Sequence, residues 1–287
     1  MQLSSIRSFL TLIRVTLSLA VTFSAFAAYI TYTGKICVAC IAPMTAVFFL
    51  AAGASILNQI QERKVDSLME RTKNRPIPSG KIKPAAALAV SIFFFVAGIF
   101  LFAQNKLWIP LMLGAGNVAW YNGVYTTLKM KTTFALIPGA LTGAVPIFMG
   151  WSAAGGYILD PEPVFLGLFM FFWQIPHFWL LMLTHATEYK TAGIPAITDH
   201  FSSFQVKRMI LLWLAAASVT SLMMVTRGFS HHLLLAGLIL FLNMMLLIIT
   251  IYRFFIASFH SVKLLYILVN CFLFIILLLL ICESLVS

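Results

Sequence analysis

Long apolar stretches separated by short polar ones dominate the chain. They run over 10–33, 36–57, 85–104, 107–128, 133–153, 163–183, 207–226, 232–256 and 262–282. Each is close to the roughly 20 residues that a helix needs to cross the hydrocarbon of a bilayer. The pattern predicts an all-α, polytopic membrane protein: a bundle of nine transmembrane helices forming a single domain over 1–287. A transmembrane β-barrel would alternate apolar and polar residues in segments of about ten, and the run 264–282 does not alternate. Ala25-Phe26-Ala27 resembles a signal-peptidase site. Arg14 lies late for the charged start of a signal, however, and eight runs follow, so the first run is expected to stay as a span. Two polar intervals, 58–84 and 184–206, are longer than a turn requires, and long loops on a rigid bundle are where function concentrates.

Composition excludes the other classes. Hydrophobic residues make up 61% of the chain and charged ones 9%, against about 25% charged in soluble domains. The net charge is +11. In a soluble protein this would suggest nucleic acid, but here sidedness explains it. All of the 19 Lys and Arg except Lys35, Lys106 and Arg227 fall at the end of the runs that carries the N-terminus, in or beside the segments before the first run and after the even-numbered ones. That asymmetry puts the N-terminus in the cytoplasm and the C-terminus, with Glu283, outside. It makes the anionic inner leaflet the partner of the charge, with no nucleic acid implied. Asp160, Glu162 and Glu283 then read as solvated charges on the outer side. Cys37 and Cys40 lack the further ligands that a metal site needs, so they read as packing residues, as do Cys271 and Cys282.

The strongest polar constellation is Asn58-x-x-x-Glu62-x-x-x-Asp66, with Glu70 beyond. A helix turns about 100° per residue, so steps of four keep the first three within about 80° of one another. Oxygen ligands gathered on one face at a membrane boundary suit Mg²⁺, which keeps waters and shares substrate phosphate oxygens. Arg63, Lys64, Arg71, Lys73 and Arg75 are interleaved with them and fit a magnesium-diphosphate site. The competing reading is a solvated run of salt-bridged charges. It is weakened by Asn58, an amide at the deep end that needs a partner. Pro76-Ile-Pro78-Ser-Gly80 is expected to stop the helix and turn the chain.

A second cluster comprises Trp173-Gln-Ile-Pro176-His177-Phe-Trp179, then His185, Glu188, Tyr189, Lys190 and Ala192-Gly-Ile-Pro195. An ionisable residue inside a span usually faces the bundle interior. His177 is therefore a candidate proton relay, or a donor to a carbonyl freed by Pro176. Glu188 can complete a metal site, with His185 one turn deeper. The third element is Tyr121-Asn122 with Tyr125-x-x-x-Lys129 and Lys131, which shares a helix face and can meet diphosphate across a cavity. Aromatic-belt anchoring competes with that reading. Gly139-x-x-x-Gly143 reads as close helix packing. His231 and His232 read as solvated, and His200 and His260 as loop residues.

Asn58-x-x-x-Glu62-Arg63-x-x-Asp66-x-x-Met69-Glu70-Arg71-Thr72-x-x-Arg75-Pro76 resembles the first motif of the UbiA-type intramembrane prenyltransferases, and within them the protoheme IX farnesyltransferase (heme O synthase) branch. Trp173-Gln-x-Pro176-His177-Phe and Glu188-Tyr189-x-x-Ala192-Gly-Ile-Pro195 are similar to its second region, and Tyr125-x-x-x-Lys129 also fits. The resemblance spans about 10–282. Glu62 and Glu188 depart from it, since the family usually has Asp at both.

The resemblance implies farnesyl diphosphate and protoheme IX as substrates and Mg²⁺ as cofactor, in a chamber facing the cytoplasm. It implies Asn58, Glu62, Asp66 and Glu188 as metal ligands. Arg63, Arg71, Arg75, Lys129 and Lys131 would bind diphosphate, with Asp66, Glu62, Arg71 and Lys129 catalytic. His177, His185 and Tyr125 become candidates for heme binding or proton relay. A quinone-precursor prenyltransferase, and a transporter or heme-handling assembly factor, are the alternatives. A downstream heme-modifying enzyme or terminal oxidase is an open partner. The N-terminus lacks a long Arg- and Ser-rich leader, which points to a bacterial inner membrane.

Overall fold

A computed structural model describes residues 2–225, 233–256 and 262–286. The positions of Arg227, His231, His232 and His260 lie outside the described residues. The helices are α1 (Gln2–Leu12), α2 (Val15–Thr33), α3 (Ile41–Asp66), α4 (Pro84–Gln104), α5 (Trp108–Ala119), α6 (Thr126–Lys129), α7 (Leu136–Ala153), α8 (Pro161–Thr184), α9 (Ala186–Thr191), α10 (Ser203–Met224), α11 (Leu233–Ile251) and α12 (Lys263–Val286). Among the described residues, eight stretches are long and apolar enough to cross a membrane.

The expected span 107–128 is the one missing from these eight, because it is divided into α5, a π-helical segment over Trp120–Tyr125, and α6. A π turn holds one extra residue and frees backbone groups. Here Gln61 Nε2 donates to Asn122 O (2.9 Å), and Thr126 Oγ1 donates to Tyr121 O (2.9 Å). Apolar periodicity cannot register such a turn, because the residues around it remain apolar.

Two other boundaries move. The first run breaks at Arg14, whose backbone is left-handed (φ 44°, ψ 56°). That break splits off α1, which exposes Ile6, Phe9 and Leu10. The second span continues through Asp66, so the constellation expected at the start of a loop stands on the last turns of a helix. The proline pair is not what ends it. The chain leaves the helix at Ser67, and Thr72 Oγ1 donates to the Asp66 carbonyl (2.8 Å). Pro76–Gly80 instead forms the turn leading into α4, with Gly80 at φ +74°.

The bundle packs α3 on α4, α8 on α10, and α7 between α2 and α8, with α12 against α2 and α8. Helices approach closely where a side chain is missing: a Cβ on Gly150 would lie 1.9 Å from the Ala25 carbonyl oxygen. Phe102, Phe169, Ile147, Leu166 and Leu180 are fully buried. Ile92, Phe93, Val96 and Phe100 of α4 are exposed, as a lipid-facing surface requires. Two of the acids expected on the outer side differ from the solvated reading. Asp160 accepts from Trp151 Nε1 and from the Tyr157 N–H (both 3.1 Å), and Glu283 is buried. The cysteines are free thiols, and Cys40 is buried.

Candidate active site

A cavity of about 1130 Å³ runs between α2, α3, the α5–α6 segment, α7, α8 and α12. One end is charged: Arg14, Asn58, Glu62, Asp66, Arg71, Arg75 and Lys129 all line it. The periodicity of α3 builds this wall, turning Asn58, Glu62 and Asp66 inward, and all three are buried. Buried carboxylates require partners. Lys129 Nζ donates to Glu62 Oε1 at 2.9 Å, and Arg75 donates to both Asp66 oxygens at 2.9 and 2.7 Å. Asn58 Nδ2 donates to Thr126 Oγ1 at 3.2 Å, tying α3 to the first residue of α6. Burial, together with the neighbouring Arg14, pulls the Arg75 guanidinium below its ordinary pKa, and the Asp66 carboxylate opposes that shift.

Beyond the charged end the walls are aromatic and aliphatic. Tyr125 stacks between Tyr121 (5.6 Å) and Phe178 (6.3 Å). Its ring lies against Gly139, where a Cβ would come within 2.5 Å. Gly143 faces Gln174 in the same way. The expected close packing at these glycines is therefore between α7 and cavity-lining side chains. His177 also faces the cavity, between Trp173 (4.8 Å) and Tyr266 (5.1 Å). Its Nδ1 is buried without a hydrogen-bond partner among the described residues, so that atom does not serve a carbonyl freed by Pro176.

Four candidates lie elsewhere. Arg63 is exposed and donates to the Ile60 carbonyl of its own helix (2.8 Å). Lys131 is exposed, and neither residue lines the cavity. Glu188 and His185 are also absent from the lining. Glu188 Oε2 accepts from the Arg71 backbone N–H (2.9 Å), and Oε1 pairs with His185 Nδ1 (3.0 Å). These bonds, the Arg71 N–H first, hold the Glu188 carboxyl below its ordinary range. Glu188 thus clasps the 184–206 segment to the α3–α4 loop, beside the cavity and not in it. This contact joins residues far apart in sequence, which local spacing cannot reveal.

Conversely, Arg14 lines the cavity. A lone cation at the head of an apolar run was its only signal in the sequence. Asn117, Gln174, Tyr189 and Asn270 also line the cavity. Asn270 was legible only as an amide inside the last apolar run.

The donor set fits a hard divalent cation. Glu62, Asp66 and Asn58 offer oxygens from one wall, and their cationic partners stand on other segments. Among the described residues, no group of three or more His, Cys, Asp or Glu is gathered to hold a metal. A Mg²⁺ ion held by Asn58, Glu62 and Asp66 would take its remaining ligands from water and substrate phosphate oxygens.

Over residues 17–258 the sequence matches the UbiA prenyltransferase family. The chain belongs to that family. This UbiA-family chain is similar to the protoheme IX farnesyltransferase of Geobacter sulfurreducens, with 41% identity over 185 residues, 64% of this chain and 68% of that one. It is similar to the protoheme IX farnesyltransferase of Oleidesulfovibrio alaskensis at 37% over 177 residues, 62% of each chain. The aligned stretch is therefore about two thirds of the first relative and less of the second. Among solved structures it resembles a digeranylgeranylglyceryl phosphate synthase (TM-score 0.79, 16% identity, 99% of this chain and 100% of that one). It also resembles a UbiA homolog from Archaeoglobus fulgidus bound to DMAPP and Mg²⁺ (TM-score 0.72, 17% identity, 96% and 97%). At those identities the fold is what is shared. The protein is an all-helical, multi-pass membrane prenyltransferase.

Proposed function

We propose that the protein transfers a farnesyl group from farnesyl diphosphate to protoheme IX, adding water to give heme O and releasing pyrophosphate. The observation that carries this reading is a single cavity joining a wall of buried carboxylates and cations to a deep aromatic interior. The names of its relatives supply the acceptor.

Asn58, Glu62 and Asp66 would hold Mg²⁺, which when bound lends Lewis acidity to the diphosphate. Lys129, Arg75, Arg71 and Arg14 line the same end and neutralise charge as it moves onto the leaving group, where preorganised cations count most. Tyr125, Tyr121 and Phe178 present ring faces that stabilise an allylic cation, and the apolar wall keeps bulk water from it. Glu188 positions the Arg71 segment. The chain acts as one domain, with nine spans once the π-interrupted helix is included. Its N-terminus and chamber face the cytoplasm, in a bacterial inner membrane, as the basic-residue asymmetry supports.

Membranes containing the protein, given heme B, farnesyl diphosphate and Mg²⁺, should yield a heme heavier by a farnesyl group plus water, and EDTA should abolish it. Failure to modify heme, with pyrophosphate still released when a quinone precursor is offered, would move the acceptor to that class.

A further inference from the structure

Inside the cavity, away from its charged end, lies a band of neutral polar side chains that the diphosphate chemistry does not use. Asn117 on α5 donates through Nδ2 to the Thr142 carbonyl (3.1 Å), which leaves its Oδ1 buried and unpartnered. The next residue, Gly143, admits Gln174: a Cβ there would sit 1.6 Å from Gln174 Oε1. That oxygen too is buried without a partner. One turn along α8, on the same face, stands His177 with its unpartnered Nδ1. In the tautomer that carries its hydrogen on Nε2, Nδ1 is a lone-pair acceptor.

All three unsatisfied atoms are acceptors, and buried acceptors left empty are costly. Their natural guest carries donors. A diphosphate and a heme carboxylate are acceptors only, and an isoprenoid tail is neither. Of the reactants in the proposed reaction, water alone brings two O–H donors. We infer that Asn117, Gln174 and His177 hold the water that becomes the product hydroxyl, with His177 Nδ1 taking its proton. This rests on the farnesyltransferase reading above.

The balance is complete. The C1–O bond of farnesyl diphosphate breaks, and its electron pair leaves with pyrophosphate. The vinyl π pair forms the new C–C bond to C1, placing a cation on the carbon beside the porphyrin ring. The water oxygen bonds to that carbon, and one water proton passes to His177 Nδ1. Without a held water the same cation loses a proton from the adjacent carbon, giving an alkene lighter by one water.

The test reads product identity, which is independent of rate. Gln174→Leu and His177→Phe are expected to lower the ratio of hydroxylated to anhydro heme product at least about tenfold, as loss of a buried hydrogen bond implies. His177→Asn, which returns a hydrogen-bonding atom near the Nδ1 position, should recover much of the ratio. Gln174→Met serves as the milder variant if the others fail to fold. A ratio within about twofold of wild type in all folded variants overturns the inference. So does an unchanged ratio with an altered heme absorption spectrum in His177→Phe, which would make His177 an iron ligand. Wild-type protein that prenylates a quinone precursor and no heme would instead refute the reaction itself, and the water assignment with it.

Discussion

Removing Lys129 tests how the charged wall is built. Its ammonium lies 2.9 Å from Glu62, with the two side chains 21% and 8% exposed. At an effective dielectric of about 20, the attraction at that distance is about 6 kcal/mol, and desolvation offsets much of it. Breaking such a pair from one side costs about 3–5 kcal/mol because the other charge stays buried. Lys129→Met should therefore destabilise the folded protein by about that much, whereas Lys131→Met, two residues along and exposed, should change it by under about 0.5 kcal/mol. The double variant with Glu62→Gln should regain about 2–3 kcal/mol, since no orphaned charge remains. Thermal unfolding in detergent, with and without Mg²⁺, is the assay. If Glu62 is a metal ligand, the uncompensated carboxylate in Lys129→Met gains more from Mg²⁺ than wild type does, by linkage. Equal costs for the two lysine variants would refute the buried pair, and equal Mg²⁺ shifts would refute Glu62 as a ligand.

Asp66→Asn should reduce prenyl transfer at least about 100-fold, measured as pyrophosphate release, and near-normal turnover that still needs Mg²⁺ would remove Asp66 from the metal site. Gly143→Ala forces a Cβ into Gln174 and should cost about 1–3 kcal/mol; pairing it with Gln174→Ala should recover most of that in the same unfolding assay. Arg14→Gly relieves a left-handed backbone while removing a cation, so it should raise KM for the diphosphate substrate without loss of stability, and a lower melting temperature would contradict the strain argument. Glu188 has its folded pKa below its ordinary 4.5, so its clasp contributes stability in full above that value and loses it as pH falls through the folded pKa. Proteolysis of the 184–206 segment should accelerate in wild type as pH falls below 4.5 and should be faster at neutral pH, with a flatter acid limb, in Glu188→Gln.

How much of this was legible in the sequence depended on the range of the interactions. Asn58, Glu62 and Asp66 announce a shared face through spacing alone, and the structure puts all three on one cavity wall. Tyr125 and Lys129 were legible for the same reason. Arg63 and Lys131 have the right chemistry but fall on the wrong side of their backbone, and residue type says nothing about phase near a helix end. For Glu188 the sequence shows only an acid at the end of a span. Its partner is a backbone N–H on a distant loop, a group that every non-proline residue carries. Arg14 was counted for its charge, and only the break between α1 and α2 turns it inward.

The widened turn at Trp120–Tyr125 has an evolutionary consequence. One surplus residue lets the stretch before it keep the phase that lipid demands while Tyr125 and Lys129 keep the phase that substrate demands. Descendants of this scaffold can therefore retune the chamber by gaining or losing a single codon there, rotating everything downstream by about 100° without altering any side chain.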